Sequence, residues 1–211
     1  MENESEPARY AAVLALSYLV GSVPWGYMLI QWRRGMDIRD FGSGRIGMSN
    51  VLRTGGGKFA AVVLLLDFGK GVLAVALARQ IIDTTAGEVA AGLAVLTGHN
   101  WPVFLGFRGG RGIATGLGSL AMMAPIAAAV GISSFLPITL FSRYLSLGSV
   151  LGVVITCASV VGLGVSGVYS PGYIVYALFT SAIIVWQHRD NIRRIRDGTE
   201  RRLGQAATQA T

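Results

Sequence analysis

Three stretches of the chain set guanidinium groups beside glycine, the first and third with hydroxyls as well, at spacings that suit an anion: FGSGRIGMSNVLRTGGGK at 41–58, FRGGRG at 107–112 and QHRDNIRRIRDGTE at 187–200. Glycine lets successive backbone N–H groups turn inward as a nest, and arginine donates in a planar fork, so both favour phosphate. In the first stretch Gly42, Ser43, Gly44 and Gly47 would form the nest, with Ser49, Asn50 and Arg53 following. A turn-rich connector whose arginines obey the positive-inside rule or touch headgroups accounts for the same residues equally well. In the second stretch Arg108 and Arg111 flank Gly109 and Gly110, and Gly112 can open a helix whose free N–H groups point at an anion. The competing reading is an arginine pair snorkelling to headgroups. In the third, His188 and Asn191 are three apart and share a helix face, where they offer a base and an amide. A capped helix end with a solvated basic stripe explains them too.

Other chemistry is poorly supplied. With two histidines, one cysteine and no close carboxylate cluster, no metal cofactor is expected. There is no Walker loop. Five residues beyond His99 stands Phe104, and beyond His188 stands Arg193, so the H-x-x-x-x-D spacing of soluble-type glycerolipid acyltransferases is missing. Asp67 and Lys70, three apart inside an apolar run, read as a neutralising structural pair, with a functional role left open as for any intramembrane charge. His99 and Cys157 read as packing residues.

These residues must be positioned by membrane helices. Apolar residues make up 52% of the chain and charged ones 14%, which points to the bilayer as solvent. Uncharged runs cover Tyr10 to Trp32 (23 residues), Val89 to Phe107 (19), Gly112 to Ser142 (31) and Tyr144 to His188 (45), whereas about 20 residues span a bilayer. The expected spans are 10–32, 59–78, 89–107, 147–165 and 171–187, plus two short helices from 112–142, split at Ala124–Pro125 with Pro137 bending the second. Basic residues cluster between Gln31 and Lys58 and again after His188, placing both regions in the cytoplasm. The acidic N-terminus and the Asp83 to Glu88 turn suit the outside, and parity then requires an odd number of spans. The fold expected is therefore an all-α integral membrane protein of seven transmembrane helices, N-terminus outside and C-terminus cytoplasmic. It forms one domain over 1–211, with 1–9 an external segment and 201–211 a disordered cytoplasmic tail. Small residues four apart, such as Gly112 and Gly116 or Gly148 and Gly152, suit close helix packing in lipid. Neither a cleavable signal, a strand-built barrel nor an internal transporter repeat is visible. A basic pocket of this kind serves either catalysis on a phosphorylated metabolite or its binding and transport.

Taken together, GSVPWGY (21–27), GSGRIGMSNVLR (42–53), LLDFGKG (65–71), GHNWPVFLGFRGGRGIATGLG (98–118), RYLSLGS (143–149) and HRDNIRRIRDGTE (188–200) resemble, in order and over nearly the whole chain, the bacterial acyl-phosphate:glycerol-3-phosphate acyltransferase (PlsY) family. The resemblance implies a seven-helix enzyme of the inner membrane, working at its cytoplasmic face without a cofactor. It would pass a fatty acyl group from acyl phosphate to the 1-hydroxyl of glycerol-3-phosphate, releasing phosphate, as the first acylation of phospholipid synthesis. Carried over by position, the family's phosphate-binding serine falls on Ser43, its Thr-Asn pair on Ser49 and Asn50, and its arginine on Arg53. Its two glycine-loop lysines fall on Arg108 and Arg111, and its histidine and asparagine on His188 and Asn191. The catalytic set is thus Ser43, Arg53, Arg111, His188 and Asn191. The binding set is Gly42, Gly44, Arg45, Gly47, Ser49, Asn50, Arg108, Gly109, Gly110 and Gly112. Partners would be the two substrates and membrane lipid, with no nucleic acid. Arg45 departs from the family's asparagine: it either binds a further phosphate oxygen or obstructs the glycerol, which leaves room for another phosphorylated acceptor. Arginine in place of both lysines keeps charge but changes donor geometry.

Overall fold

A computed structural model describes residues 5–205, and within them the chain is helical. Ten α-helices occur among the described residues: α1 Ser5–Ser22, α2 Trp25–Arg34, α3 Met48–Thr54, α4 Gly57–Ile81, α5 Thr85–Asn100, α6 Ile113–Met123, α7 Pro125–Ser142, α8 Leu145–Val165, α9 Gly172–Gln187 and α10 Arg189–Arg196. Four segments are long and apolar enough to cross a bilayer: Glu6–Arg34, Gly57–Ile81, Pro125–Ser142 and Leu145–Val165. The apolar helices α6 and α9 are shorter, at 11 and 16 residues.

Two expected spans are interrupted, each by a proline. Residues 10–32 break between α1 and α2, because Pro24 has no N–H to continue the ladder and disfavours helical backbone at Val23. The run 89–107 ends as helix at Asn100, one residue before the Trp101–Pro102 step. By the same rule 112–142 divides at Ala124, with Pro125 at the first position of α7 and Pro137 inside it. Glu88 is not part of an external turn: it is buried in α5, where Arg79 Nε lies 2.9 Å from its Oε1 and the Tyr173 hydroxyl donates to its Oε2 at 2.8 Å.

The bundle closes through glycine. α4 packs on α6, α1 on α5 and α7 on α8. A Cβ at Gly71 would overlap the Thr115 carbonyl, and one at Gly118 the Phe68 carbonyl, so α4 and α6 touch backbone to backbone. Residues 1–4 of the expected external segment and 206–211 of the expected disordered tail lie outside the described residues, while Ser5–Arg9 already belong to α1. Residues 201–205 run back over the α7–α8 turn, where Leu203 N–H donates to Arg143 O at 2.7 Å.

Candidate active site

The first glycine-rich loop is held by one amide. Asn50 is fully buried; its Nδ2 donates to Ile38 O, Phe41 O and Arg45 O at 3.2, 2.9 and 2.9 Å, and its Oδ1 accepts the Ser43 N–H at 3.1 Å. Gly42 and Gly44 turn through left-handed backbone at φ 60° and 66°, and the Gly44 N–H closes on Phe41 O. The N–H groups of residues 43 and 44 are therefore spent inside the loop, and the expected nest is not formed by them. Asn50 shapes the loop instead of presenting its amide to a ligand. The loop puts Arg45, Gly47 and Ser49 on a cavity wall, whereas the Ser43 hydroxyl is buried without a protein partner and lines neither cavity. Arg53, one turn along α3, donates from Nη1 to Ser49 O at 3.1 Å.

The second loop works by close approach. Gly109 and Gly110 donate their N–H groups to Asn100 O and His99 O, at 3.2 and 3.0 Å, and a Cβ on either would overlap the end of α5 or the His99 ring. They place the loop rather than bind an anion. Gly112 caps α6 at φ 85°, with no side chain on the helix's first N–H groups, and Gly112, Ile113 and Ala114 all line the cavity. Arg111 enters beside them with Nε buried and unpartnered. Burial first, then the charges of Arg45 and Arg194, lower its pKa to about 9, with Glu200 opposing and Arg53 adding to the fall. It stays protonated at neutral pH. Arg108, expected to act with it, is exposed and lines neither of the cavities described here.

The third segment supplies His188 at the junction of α9 and α10. Its Nδ1 is 2.8 Å from Ile184 O, so that nitrogen carries the proton and Nε2 keeps the lone pair. Burial, with Arg111 next in weight, pushes its pKa down to about 4, and the ring is neutral at pH 7. Asn191 does not touch the ring; its Nδ2 donates to Glu200 Oε1 at 2.7 Å. Glu200 also accepts from the Ser146 hydroxyl at 2.7 Å and from Arg194 Nε at 2.8 Å. Although burial alone would raise its pKa, these hydrogen bonds hold the carboxyl below its usual range. Sequence reasoning assigned Glu200 nothing. Its one signal was a carboxylate closing a stretch crowded with arginine, where Asp190 and Asp197 also stand.

The segments meet around a polar cavity of about 80 Å³, lined by Arg45, Ser49, Arg111 and His188 and also by Asp67 and His99. Arg45 on its wall and Arg53, which does not line it, are both half-buried, and each has its pKa lowered chiefly by burial. Met48, Leu64, Ile113, Ala114, Phe135 and Ser149 line this cavity and equally a second one of about 410 Å³ whose walls are apolar, running between α6, α7, α8 and α9. A cationic head pocket thus adjoins a hydrocarbon-lined groove across a shared wall. The arrangement fits a molecule with a phosphate at one end and an aliphatic chain at the other.

Comparison with known proteins agrees with this geometry. Residues 11–198 match the family model described as glycerol-3-phosphate acyltransferase. The chain is 43% identical over 210 residues to glycerol-3-phosphate acyltransferase 3 of Dehalococcoides mccartyi, covering 94% of this chain and 97% of that one. To glycerol-3-phosphate acyltransferase of Thermoanaerobacter pseudethanolicus it is 40% identical over 199 residues, covering 93% and 97%. Among solved structures it is similar to the integral membrane glycerol 3-phosphate acyltransferase PlsY (YgiH). The glycerol 3-phosphate form gives a TM-score of 0.85 at 34% identity, covering 92% of this chain and 96% of that one. The lysophosphatidic acid form gives 0.81 at 33%, covering 92% and 95%.

Proposed function

The chain belongs to the glycerol-3-phosphate acyltransferase family and is an acyltransferase acting on glycerol-3-phosphate; from that premise we propose that its donor is a fatty acyl phosphate and that transfer is direct. The observation that carries the proposal is the cationic cavity adjoining the apolar groove, the two sharing six lining residues, Met48, Leu64, Ile113, Ala114, Phe135 and Ser149. The acyl chain lies in the groove, and the mixed anhydride sits at the shared wall. The phosphates of donor and acceptor are held by Arg45, Arg53 and Arg111, the Ser43 and Ser49 hydroxyls and the first N–H groups of α6.

The 1-hydroxyl oxygen of glycerol-3-phosphate attacks the acyl carbonyl carbon. The new ester C–O bond forms, the C–O bond to phosphate breaks, and inorganic phosphate leaves with the electron pair. The hydroxyl proton passes to His188 Nε2, which is neutral and has its lone pair free, or to an oxygen of the donor phosphate. Because an acyl phosphate is already activated, positioning and charge neutralisation supply the catalysis and no covalent enzyme intermediate is required.

We further propose seven crossings: α1 with α2 as one, then α4, α5, α6, α7, α8 and α9, with the N-terminus outside. This count brings the loops carrying Arg45, Arg111 and His188 to the cytoplasmic face of a bacterial inner membrane, in agreement with the positive-inside bias. The test uses the purified chain in lipid, with palmitoyl phosphate and labelled glycerol-3-phosphate, and with acyl-coenzyme A and acyl carrier protein donors in separate reactions. Lysophosphatidate and phosphate should appear in equal amounts from acyl phosphate alone. Product from a thioester donor instead, or none from folded protein, overturns the donor assignment. Arg45 on the cavity wall motivates a parallel competition with other polyol phosphates.

A further inference from the structure

Asp67 and His99 are buried groups on two different apolar helices, 3% exposed each, and the transfer described above uses neither. Both line the polar cavity together with Arg45, Ser49, Arg111 and His188. A pocket meant only for phosphate gains nothing from a carboxylate, which repels the anion it must admit. This one is also firmly held. Lys70 Nζ lies 2.9 Å from Asp67 Oδ1 and donates to Gly21 O and Val23 O at 3.0 and 3.2 Å, at the α1–α2 break. His99 Nδ1 stands 3.5 Å from the same Oδ1, and the other edge of its ring abuts Gly110.

The acceptor substrate has two hydroxyl donors besides its phosphate. Among the cavity's side chains, arginine only donates, and serine does either. The groups suited to accept are His188 Nε2, a ring nitrogen of His99 and the Asp67 carboxylate, and the His99 ring is hemmed in by Asp67 on one edge and Gly110 on the other. One hydroxyl is consumed in the transfer, and its proton is accounted for by His188 or the donor phosphate. The other needs an acceptor that stays in place.

We propose that Asp67, fixed by Lys70 and braced by His99, accepts a hydrogen bond from the C2 hydroxyl of glycerol-3-phosphate and so selects a polyol phosphate over its deoxy analogue. A buried site built around such a hydroxyl rejects a ligand lacking it, because the carboxylate is then left unpaired. This deepens the acyltransferase reading and rests on it: absence of turnover with glycerol-3-phosphate would be a failure of that reading and not of this inference.

The test compares three acceptors on the wild-type chain in lipid with palmitoyl phosphate: glycerol-3-phosphate, 3-hydroxypropyl phosphate, which lacks the C2 hydroxyl, and serinol phosphate, which carries an ammonium at C2. The deoxy compound should lose about 100-fold in kcat/KM. Serinol phosphate should bind as a substrate or competitive inhibitor within about threefold of glycerol-3-phosphate, because beside the cavity's arginines, Arg45 and Arg111, its ammonium is tolerated only opposite a carboxylate. Use of the deoxy compound within about threefold of glycerol-3-phosphate, or rejection of serinol phosphate as strong as that of the deoxy compound, overturns the proposal. The double variant Asp67→Leu/Lys70→Met removes both charges without leaving either unpaired, and should bring the ratio between glycerol-3-phosphate and 3-hydroxypropyl phosphate to within about threefold of one. If a folded double variant keeps the wild-type ratio while only its stability or overall rate changes, Asp67 is structural and the proposal fails.

Discussion

Arg111 and Arg108 stand three residues apart in one glycine-rich loop, yet their surroundings are unlike. Arg111 sits on the cavity wall with Nε shielded and unpaired, whereas Arg108 is exposed to solvent. Arg111→Ala should therefore lower kcat/KM for lysophosphatidate formation by about 100- to 1,000-fold, while Arg108→Ala should stay within about threefold. The resemblance sets Arg111 among the catalytic residues and Arg108 among the binding ones, but the pattern R-G-G-R itself does not encode which guanidinium turns inward. That is decided by Gly109 and Gly110 pairing with the end of α5, a contact across the fold. Asn50 was misread for a similar reason: its four bonds to loop backbone are invisible in a linear string. His188 adds a pH dependence whose sign follows from its depressed pKa, about 4 in the fold against about 6.5 unfolded. The folded state binds fewer protons between those values, so its contribution is complete above about pH 6.5 and is lost as pH falls towards 4. Thermal unfolding in detergent should show the wild type losing about 2 kcal/mol more than His188→Gln between pH 7.5 and 5. Equal losses would mean that the ring is not held neutral by burial.

Among the elements, α10 is the one whose position depends most on a single side chain. It is eight residues long, and its buried residue is Asn191, whose amide donates to Glu200, a residue beyond the helix end. The same carboxylate takes the Ser146 hydroxyl from α8 and Arg194 from α10, and so fastens the C-terminal segment to the bundle. Removing one partner of a buried network leaves the others desolvated and unpaired. Glu200→Ala should lower stability by about 3 kcal/mol and reduce activity through displacement of His188 and Arg194, both read from a thermal melt paired with turnover at low temperature. Unchanged melting with reduced turnover would instead give Glu200 a direct role in the reaction. The break at Ala124–Pro125 is legible because a 31-residue run is too long for one span, whereas 10–32 and 89–107 are of spanning length and give no reason to stop at Pro24 or Pro102. Hydropathy reports whether a residue suits lipid. It does not report whether the backbone can stay helical there.

At the scale of the whole molecule, the candidate head pocket adjoins an apolar groove walled by α4, α6, α7, α8 and α9, and the proposed chemistry takes place where the two meet. The proposed topology places that junction at the cytoplasmic face. In a Cys157→Ser background, an impermeant maleimide should label Arg108→Cys only from the cytoplasmic side and Ser166→Cys only from outside, since both positions are exposed on opposite ends of their spans. Labelling of both from one side would break the seven-crossing count. The proposed count rests on parity and charge bias, which sum over many residues and so can be drawn from a sequence; the groove cannot, because its walls come from helices distant in sequence and include glycines such as Gly131 and Gly148, where α7 and α8 approach closely. Its depth sets a further expectation. Ser149 lines both cavities and Thr156 lines the groove, which puts them about 10 Å apart along α8 at 1.5 Å per residue. Thr156 packs against Gly131 of α7, where a Cβ would already meet its hydroxyl, so a larger side chain at 156 has nowhere to go but across the groove. Thr156→Phe should shift the preference from palmitoyl to octanoyl phosphate by about tenfold in kcat/KM, the scale of losing contact for one or two buried methylenes. If the ratio between the two donors is unchanged in a folded variant, the chain does not run down the groove towards Thr156, and must leave the head pocket sideways into lipid.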